Sequence, residues 1–240
     1  MFSIKTRGVV IKRMNYGEAD RILTVFTERL GKVKVLAKGV RKITSKMAGS
    51  LEPYNLLGLE LHEGKTFYTV TSVQIIECLD CDKKLSISSQ AVYLAEIIDK
   101  VFEEGEKNIK SFEIFTDCLR SIGLGNELLL RLFELQILQE AGFKPDLYHC
   151  SKCKKKLKVG GNFVNRSGDL LCPDCADGLS ENVPDNVIKI LRLLQERGVE
   201  VCKQIKCGGP ELAIAEKYID QLLQNALERE LKSKKYLLEY

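Results

Sequence analysis

The sequence Cys150-Ser-Lys-Cys153, followed after eighteen residues by Cys172-Pro-Asp-Cys175, decides the fold of the region around it. Two Cys-x-x-Cys pairs at this separation bring four thiolates to the corners of one tetrahedron, with the intervening residues forming a small hairpin. Gly160-Gly161 and Gly168-Asp169 suit the turns of such a hairpin. The alternative is two separate pairs of reduced or disulfide-linked cysteines. The spacing favours one structural zinc ion, bound by Cys150, Cys153, Cys172 and Cys175.

The composition predicts packed domains in a cytoplasmic protein. The length of 240 residues allows about two or three small domains, and the 45% of hydrophobic residues is enough for packed cores. No run of eighteen apolar residues occurs, and Met1-Phe2-Ser3-Ile4-Lys5 lacks the pattern of a signal peptide. The odd number of cysteines, nine, favours a reducing compartment over a disulfide framework. We therefore expect no membrane association.

Charge is distributed unevenly along the chain. Residues 1–50 carry twelve Lys and Arg against three Asp and Glu, whereas residues 51–149 carry nine against seventeen. A strongly basic end is typical of proteins that bind a polyanion. We therefore expect nucleic-acid contacts near the N-terminus.

Residues 1–79 are predicted to form a five-stranded barrel of the OB type. Five runs with strand character are separated by turn signals: Val9–Ile11, Ile22–Phe26, Val33–Ala37, Leu56–Leu61 and Phe67–Thr71. Five short strands within about 75 residues fit a small closed barrel.

The third of these runs has a basic face that continues into a basic loop. Its valines and alanine fall on one face, and the lysines project from the other face, which carries Lys32, Lys34, Leu36 and Lys38. No acidic residue occurs between Arg29 and Glu52 to neutralise them. A solvated barrel face is the alternative, but we predict that DNA follows this path. The candidate DNA-binding residues are Lys34, Lys38, Arg41, Lys42 and Lys46.

Aromatic residues in the barrel have two interpretations. They could stack on bases, but aromatic side chains at strand spacing usually point inward, which favours a core position for each. The residues concerned are Tyr16, Tyr54, Phe67 and Tyr68.

After the barrel the periodicity becomes helical. We predict a first helix capped by Ser86 or Ser88, and further helices over 112–122 and 126–141. The last of these is apolar nearly all round, which places it in the middle of a bundle. Pro184 and Pro210 are suited to begin two more helices. The predicted fold class is therefore α+β, with a zinc module (148–178) inserted between the two parts (80–147 and 179–240) of a helical domain.

Several basic and sulfur-containing residues allow two interpretations. Arg131 is either paired with Glu127 or Glu134 or a donor at the mouth of a groove, and the ion pair is favoured. The lysines between residues 152 and 158 either offset the charge of a tetrathiolate site or contact phosphates. We interpret Cys78 and Cys81 as structural thiols, because their acidic neighbours disfavour a reactive thiolate.

The sequence favours a binding module over an enzyme. There are two histidines, His62 and His149, and the four cysteines saturate the metal. No phosphate-binding Gly-Lys loop, nucleophile elbow or paired-carboxylate motif occurs, so we expect neither catalysis nor a small-molecule substrate. A zinc-ribbon factor of transcription or translation is the alternative binding module.

Short motifs follow one another along nearly the whole chain. They are Tyr16-Gly-Glu-Ala-Asp-Arg21, Thr27 to Gly31, Ala37-Lys-Gly-Val-Arg41, Leu51-Glu-Pro-Tyr54, Arg131-Leu-Phe-Glu-Leu135, Ala141-Gly-Phe143, the two cysteine pairs and Leu231-Lys-Ser233. In this order they resemble the motifs of the RecO recombination mediators of bacteria.

The resemblance implies an OB barrel, a helical domain with an inserted zinc module, and a role in DNA repair and recombination in the RecF pathway. It implies binding of single- and double-stranded DNA, strand annealing, and partnership with RecR in loading the strand-exchange recombinase onto DNA coated by single-stranded-DNA-binding protein. It adds Arg21 to the DNA-binding candidates and suggests that Arg131 contacts the acidic, hydrophobic C-terminal tail of the coating protein. The expected location is the bacterial cytoplasm, at the nucleoid.

Overall fold

The computed structural model describes residues 3–79, 84–123, 125–227 and 230–237, which form two compact units. The first unit contains the five N-terminal strands, the first two helices and a C-terminal 3-10 turn. The second contains the remaining helices and a three-stranded sheet. The domain boundaries that the sequence suggests, after residues 79, 147 and 178, stay a prediction.

Five strands form the closed barrel of the first unit. They are β1 (Ser3–Tyr16), β2 (Asp20–Thr27), β3 (Gly31–Ala37), β4 (Leu56–His62) and β5 (Tyr68–Glu77). Their spatial order is β1-β2-β3-β5-β4, and β3 and β5 are parallel while the other neighbours are antiparallel. This closed five-stranded arrangement confirms the predicted OB-type barrel.

β3 shows how the sequence pattern produces the barrel. Val33, Val35 and Ala37 are buried in the barrel core, whereas Lys34 and Lys38 are exposed on the other face. Burial of each valine side chain contributes roughly 1.5–3 kcal/mol relative to exposure. The period of two therefore fixes which face of β3 carries the lysines.

The loop between β3 and β4 (residues 38–55) is held to the barrel by apolar side chains. Val40 and Leu51 belong to the barrel core and are 2% and 1% exposed. Met47 and Ala48 are partly buried and pack against the same core. These contacts fix the path of the loop, although its exposed residues are polar or basic.

Two helices cover the other face of the β2 strand in the first unit. They are α1 (Leu85–Val101) and α2 (Ile109–Ser121). Phe26, which alternates with the barrel-core residue Val25, packs on three rings with centroid distances of 5.7 to 6.0 Å, those of Phe102, Phe112 and Phe115. This aromatic cluster anchors both helices to the barrel.

The predicted serine cap of α1 is wrong. Ser86 and Ser88 both lie inside the helix, and Lys84 occupies the N-cap position without a side-chain capping bond. The Ser88 hydroxyl donates to the Lys84 carbonyl (3.1 Å). A serine that bonds to the preceding turn in this way is compatible with a helix interior, so its presence does not mark a helix start.

The C-terminal segment belongs to the first unit and is held by one carboxylate. Glu96 of α1 accepts hydrogen bonds from the backbone N–H groups of Lys232 (3.0 Å) and Ser233 (2.7 Å), and from the Ser233 hydroxyl. Ser233 is 4% exposed. A 3-10 turn at Lys234–Tyr236 follows. The last part of the chain is thus fixed to a helix that precedes it by more than a hundred residues.

The second unit is built around one buried helix. Its helices are α3 (Leu128–Glu140), α4 (Asp185–Glu196), α5 (Val201–Gln204) and α6 (Gly209–Ala226). Every residue of α3 up to Leu138 is buried, and α3 packs on α4, α5 and α6. This confirms the central position expected from its apolar surface. None of the described helices is long and apolar enough to cross a membrane.

Candidate metal centre and nucleic-acid interface

The first cysteine pair lies in a tight turn. The Lys154 N–H donates to the Cys150 carbonyl (2.9 Å), and the Cys150 N–H donates to the Lys155 carbonyl (2.9 Å). Lys154 has a φ of +59°, which is uncommon for a residue other than glycine. The chain therefore reverses immediately after Cys153, and its N–H groups turn toward the Cys150 sulfur.

The second pair is linked to the first through a small sheet. β6 (Asn162–Val164) pairs antiparallel with both β7 (Leu170–Leu171) and β8 (Glu181–Val183). The hairpin β6–β7 lies between the cysteine pairs, as predicted. The Ser151 N–H donates to the Leu170 carbonyl (2.9 Å), which joins the first turn to the hairpin.

The four cysteine sulfurs form one group. The Sγ atoms of Cys150, Cys153, Cys172 and Cys175 lie within 4.8 Å of one another. The distance between the Cys153 and Cys172 sulfurs is 3.8 Å. Four sulfurs at about 2.3 Å from a central tetrahedral zinc lie about 3.8 Å apart. The group could therefore hold one metal ion, and its size fits a tetrahedral tetrathiolate site.

The thiol pKa values show how a cation would act on this group. Burial alone would raise the pKa of Cys150, but hydrogen bonds from the backbone N–H groups of Cys153, Cys172 and Lys152 lower it to about 6. The hydrogen bond with Cys172, together with burial, raises the pKa of Cys175 to about 12. Negative charge on one sulfur thus opposes ionisation of its neighbours, and a divalent cation removes that opposition.

Residues beside the cysteines are outside the group. The His149 imidazole lies 3.0 Å from the Asp146 carboxylate rather than among the sulfurs. Lys152 donates to the Cys175 carbonyl (3.0 Å) and lies 3.9 Å from Asp177. The other lysines of the run are exposed, namely Lys154, Lys155, Lys156 and Lys158. Whether the lysines of this run offset the charge of the thiolates or contact phosphates stays open.

The basic face of β3 is partly covered at one end. Lys32 donates to the Asp99 carboxylate (3.3 Å), and its side chain is 13% exposed. Lys34 lies 3.3 Å from Glu104, with about half of each side chain exposed. Lys38, at the other end of the strand, is exposed. A carboxylate in the last turn of α1, Asp99, and one just after the helix, Glu104, therefore neutralise the start of this face and leave its end accessible.

The loop after β3 presents the remaining basic candidates. Lys38, Arg41, Lys42 and Lys46 are exposed, and none of them forms a salt bridge with any residue that the structure describes. The Arg41 N–H donates to the Ala19 carbonyl (2.9 Å), and its guanidinium donates to the Gly17 carbonyl (3.3 Å). These bonds join the loop to the β1–β2 turn. We call Lys38, Arg41, Lys42 and Lys46 the basic loop.

Arg21 and Tyr16 are two further candidates in the barrel, and their surroundings differ from those of the basic loop. Arg21 lies 3.6 Å from Glu52, which also binds Arg13, and its side chain is 23% exposed. Tyr16 ends β1 beside the turn that Arg41 contacts, and it is 49% exposed. The expectation of a core position is therefore wrong for Tyr16. The other three aromatic candidates, Tyr54, Phe67 and Tyr68, are half-buried.

Arg131 lies in the second unit among carboxylates. Its guanidinium is 2.8 Å from Glu134, 3.2 Å from Glu216 and 4.0 Å from Asp220, and its side chain is 4% exposed. The ion pair with Glu134 agrees with the favoured interpretation. An open pocket of about 440 Å³ lies along α6 and is lined by Ala213, Glu216, Lys217, Asp220, Gln221 and Gln224. Two of the carboxylates that bind Arg131 thus also line this pocket.

The remaining cysteine pair is only partly described. Cys78 is exposed just after β5, and Cys81 lies outside the described residues. Its structural role stays a prediction.

Sequence reasoning missed the partners of the basic face and one apolar residue near it. Asp99 and Glu104 are more than sixty residues from the lysines that they contact, so no local pattern could reveal them. Ile43 lies inside the basic loop and its side chain is fully exposed, at 105%. The available signal was an isoleucine between basic and hydroxyl residues, in the sequence Arg41-Lys-Ile-Thr-Ser-Lys46.

Comparison with known proteins gives matches over both halves of the chain. The family model "Recombination protein O N terminal" matches residues 1–79, and "Recombination protein O C terminal" matches residues 84–235. A protein named DNA repair protein RecO from Roseiflexus sp. (strain RS-1) is 33% identical over 239 residues, which are 97% of this chain and 84% of the relative. A protein of the same name from Dehalococcoides mccartyi (strain BAV1) is 33% identical over 234 residues, 95% of this chain and 92% of the relative. Another, from Alkaliphilus metalliredigens, is 29% identical over 209 residues, 85% of each chain.

Proposed function

The chain belongs to the RecO family of DNA repair proteins, and from this premise we propose that it is a recombination mediator rather than a catalyst. It binds single- and double-stranded DNA on the barrel and anneals complementary strands. With RecR, it helps to load the strand-exchange recombinase onto DNA coated by single-stranded-DNA-binding protein. The observation that carries the proposal is the basic loop, which is exposed and forms no salt bridge with the described residues.

The basic loop suits a phosphate backbone for electrostatic reasons. Condensed counterions are released when lysine or arginine meets a phosphate, and this release drives binding that is independent of sequence. Lys38 ends the basic face of β3 and Arg41 is tied to the neighbouring turn, so the cations lie along one continuous surface. Tyr16, at the same turn, supplies an exposed ring on which a base can stack.

Annealing follows from the same charges. Two complementary strands repel each other through their phosphates, and cations that neutralise one strand lower this repulsion. Phosphate contacts carry no base information, so base pairing alone selects the partner strand. A surface of this kind accelerates pairing without any catalytic group.

The metal of the four-cysteine group is zinc in this proposal. Four thiolates at tetrahedral spacing are typical of structural zinc sites, which keep no open position for chemistry. Cys150, Cys153, Cys172 and Cys175 would hold the ion, which would supply the charge that four thiolates require. The residues themselves fix the two turns and the β6–β7 hairpin to each other.

Arg131 is the proposed contact for the acidic tail of the coating protein, on the strength of the family alone. Glu216 and Asp220 compete with such a tail for the guanidinium. If Arg131 anchors the tail, the variants Glu216→Gln and Asp220→Asn should strengthen binding of an acidic peptide that ends in a hydrophobic residue. Unchanged or weaker binding in both variants, measured by fluorescence anisotropy, would remove Arg131 from this role.

A strand-annealing assay tests the main proposal. Complementary oligonucleotides are first coated with single-stranded-DNA-binding protein, and the rate of duplex formation is measured with this protein, with and without RecR. We expect annealing to accelerate with this protein, and recombinase loading to require RecR as well. A zinc-ribbon factor of transcription or translation would bind nucleic acid without accelerating annealing on coated DNA.

A matched pair of variants assigns the activity to the basic loop. Lys38→Ala with Arg41→Ala removes two charges from the loop, and Lys107→Ala with Lys110→Ala removes two charges beside the start of α2. The first variant should anneal more slowly and the second should match the parent. Equal rates in both would move the DNA path to another surface, for which the run from Lys152 to Lys158 is the next candidate.

A further inference from the structure

Ile43 lies in the loop between β3 and β4 but, unlike its apolar neighbours there, does not pack against the barrel. Val40 and Leu51 are in the barrel core, and Met47 and Ala48 pack against it, whereas the Ile43 side chain is fully exposed. Single exposed apolar residues are ordinary on protein surfaces. What distinguishes Ile43 is its position, since it lies within the basic loop on a segment whose other apolar side chains are anchored.

The local backbone holds Ile43 outward. The Lys42 N–H donates to the Gly39 carbonyl (3.1 Å), and the Ser45 N–H donates to the Lys42 carbonyl (2.9 Å). These two turns surround Ile43, and Arg41 ties the segment to the β1–β2 turn. The backbone at Ile43 is therefore held by the bonds around it, with its side chain in solvent.

We propose that Ile43 contacts the bases of a single DNA strand while the basic loop binds its phosphates. The inference rests on the proposed DNA binding and adds an apolar, base-directed contact to it. In a single strand the faces of unstacked bases are open to contact by an isoleucine side chain. In a duplex the same faces are covered by neighbouring base pairs.

This contact gives the surface a preference that charge alone lacks. Duplex DNA has a higher phosphate density than a single strand, so cations by themselves favour the duplex. An apolar contact to unstacked bases works in the opposite direction. Ile43 thus shifts the preference of the surface toward single strands and lets a paired product leave.

The decisive probe is a DNA strand without bases. Ile43→Ser should bind an ordinary oligonucleotide about three- to tenfold more weakly than the parent, with the same log–log salt slope, because every phosphate contact remains. On an abasic oligonucleotide of equal length, parent and variant should bind equally. On duplex DNA, the variant should lose less affinity than on the single strand.

Ile109 provides the matched control. It is an exposed isoleucine of the same unit, 55% exposed, and lysines 107 and 110 flank it at the start of α2. The neighbouring Gly105 N–H donates to the carbonyl of Lys32 (2.8 Å), so this region lies at the start of β3, about 20 Å along the strand from the basic loop. Ile109→Ser should bind every probe as the parent does.

A spectroscopic readout is available because the chain contains no tryptophan. In Ile43→Trp the single indole should be quenched when an ordinary oligonucleotide binds and unaffected when the abasic strand binds, whereas the indole of Ile109→Trp should respond to neither. If Ile43→Ser lost equal affinity for the ordinary and the abasic oligonucleotide, or lost none for either, the base contact would be overturned while the proposed DNA binding would stand. If the parent protein showed no salt-dependent binding to either oligonucleotide, the proposed function itself would be wrong.

Discussion

Basic side chains in the loop after β3 and in α3 have opposite surroundings. In the first unit, Lys38 and Arg41 extend into solvent without a carboxylate partner among the described residues. In the second, Arg131 is 4% exposed and lies within 4.0 Å of Glu134, Glu216 and Asp220. The same chemical group therefore serves two purposes, and the distance to carboxylates decides which. An exposed cation is available to a polyanion, whereas a buried, paired one stabilises the fold and meets an acidic partner only in competition with its own carboxylates.

Four thiolates lie together in the cysteine group, and a cation would offset their charge. Disruption of this group should therefore have the largest effect. Cys172→Ser removes one of four thiolates, and because metal binding and local folding are coupled, the protein should lose its single equivalent of zinc and unfold at lower temperature. Metal content by mass spectrometry and thermal unfolding measure both. Full metal content in Cys172→Ser would contradict the assignment.

Removal of the buried arginine should have the next largest effect. Arg131→Ala leaves the buried Glu134 carboxylate without its cation, and a broken buried pair costs about 3–5 kcal/mol. Urea unfolding measures the loss. Arg120→Ala is the control, since Arg120 pairs with Glu77 and Asp117 at the surface, where such pairs contribute about 0–1 kcal/mol. Equal losses in the two variants would erase the contrast between buried and exposed arginines.

Removal of the exposed cations should affect DNA binding and leave stability unchanged. Lys38→Ala with Arg41→Ala removes two phosphate contacts, so the log–log salt slope for single-stranded DNA should become shallower by up to about 1.4 units. The change should be equal for every sequence, because phosphate contacts carry no base information.

Lys34→Ala provides the internal comparison on the same strand face. Glu104 already neutralises Lys34 in part, so this variant should change the slope by less than about 0.7. Fluorescence titrations at several salt concentrations measure all three proteins. A parental slope in the double variant would show that the basic loop is a solvated face.

The smallest effect is expected at Glu96, a carboxylate stabilised by hydrogen-bond donors of the C-terminal segment and by the charge of Lys100. Burial alone would raise the pKa of Glu96, but the hydroxyl and backbone N–H of Ser233, the N–H of Lys232 and the charge of Lys100 lower it below the usual value. A depressed folded-state pKa gives stability that is present above the unfolded pKa of about 4.3. This stability is lost as pH falls through the folded value.

Glu96→Gln tests this dependence on pH. The variant should unfold more easily than the parent at pH 7, by roughly 1 kcal/mol, and the difference should shrink as pH falls below about 4. Urea unfolding across this range gives the comparison. A difference that is independent of pH would mean that the carboxylate charge does not hold the C-terminal segment.

Much of the fold could be predicted because it depends on short-range patterns. Each of the five strand-like runs overlaps a strand of the barrel, and the apolar surface of α3 placed it correctly in the centre of its unit. The start of α1 could not be read from Ser86 or Ser88, because a serine hydroxyl bonds equally well to a preceding turn. The four-residue helix α5 was missed, since one turn is too short to show a period.

The sequence by itself determined which residues are neighbours within one element. The spacing of Cys150, Cys153, Cys172 and Cys175 predicted one group of four cysteines, and alternation along β3 predicted a basic face. The basic face follows from the two-residue period of a strand, and the cysteine group from a spacing that is typical of zinc-binding hairpins.

Only the tertiary structure decided which of those charges are neutralised. The segment from Arg29 to Glu52 contains no acid between its ends, yet Asp99 and Glu104 reach Lys32 and Lys34 and leave Lys38 exposed. The tertiary structure also exposes Ile43 and buries Val40 of the same loop. Coulomb energy and burial depend on distance through space, and the chain positions of two residues do not contain that distance until the fold is complete.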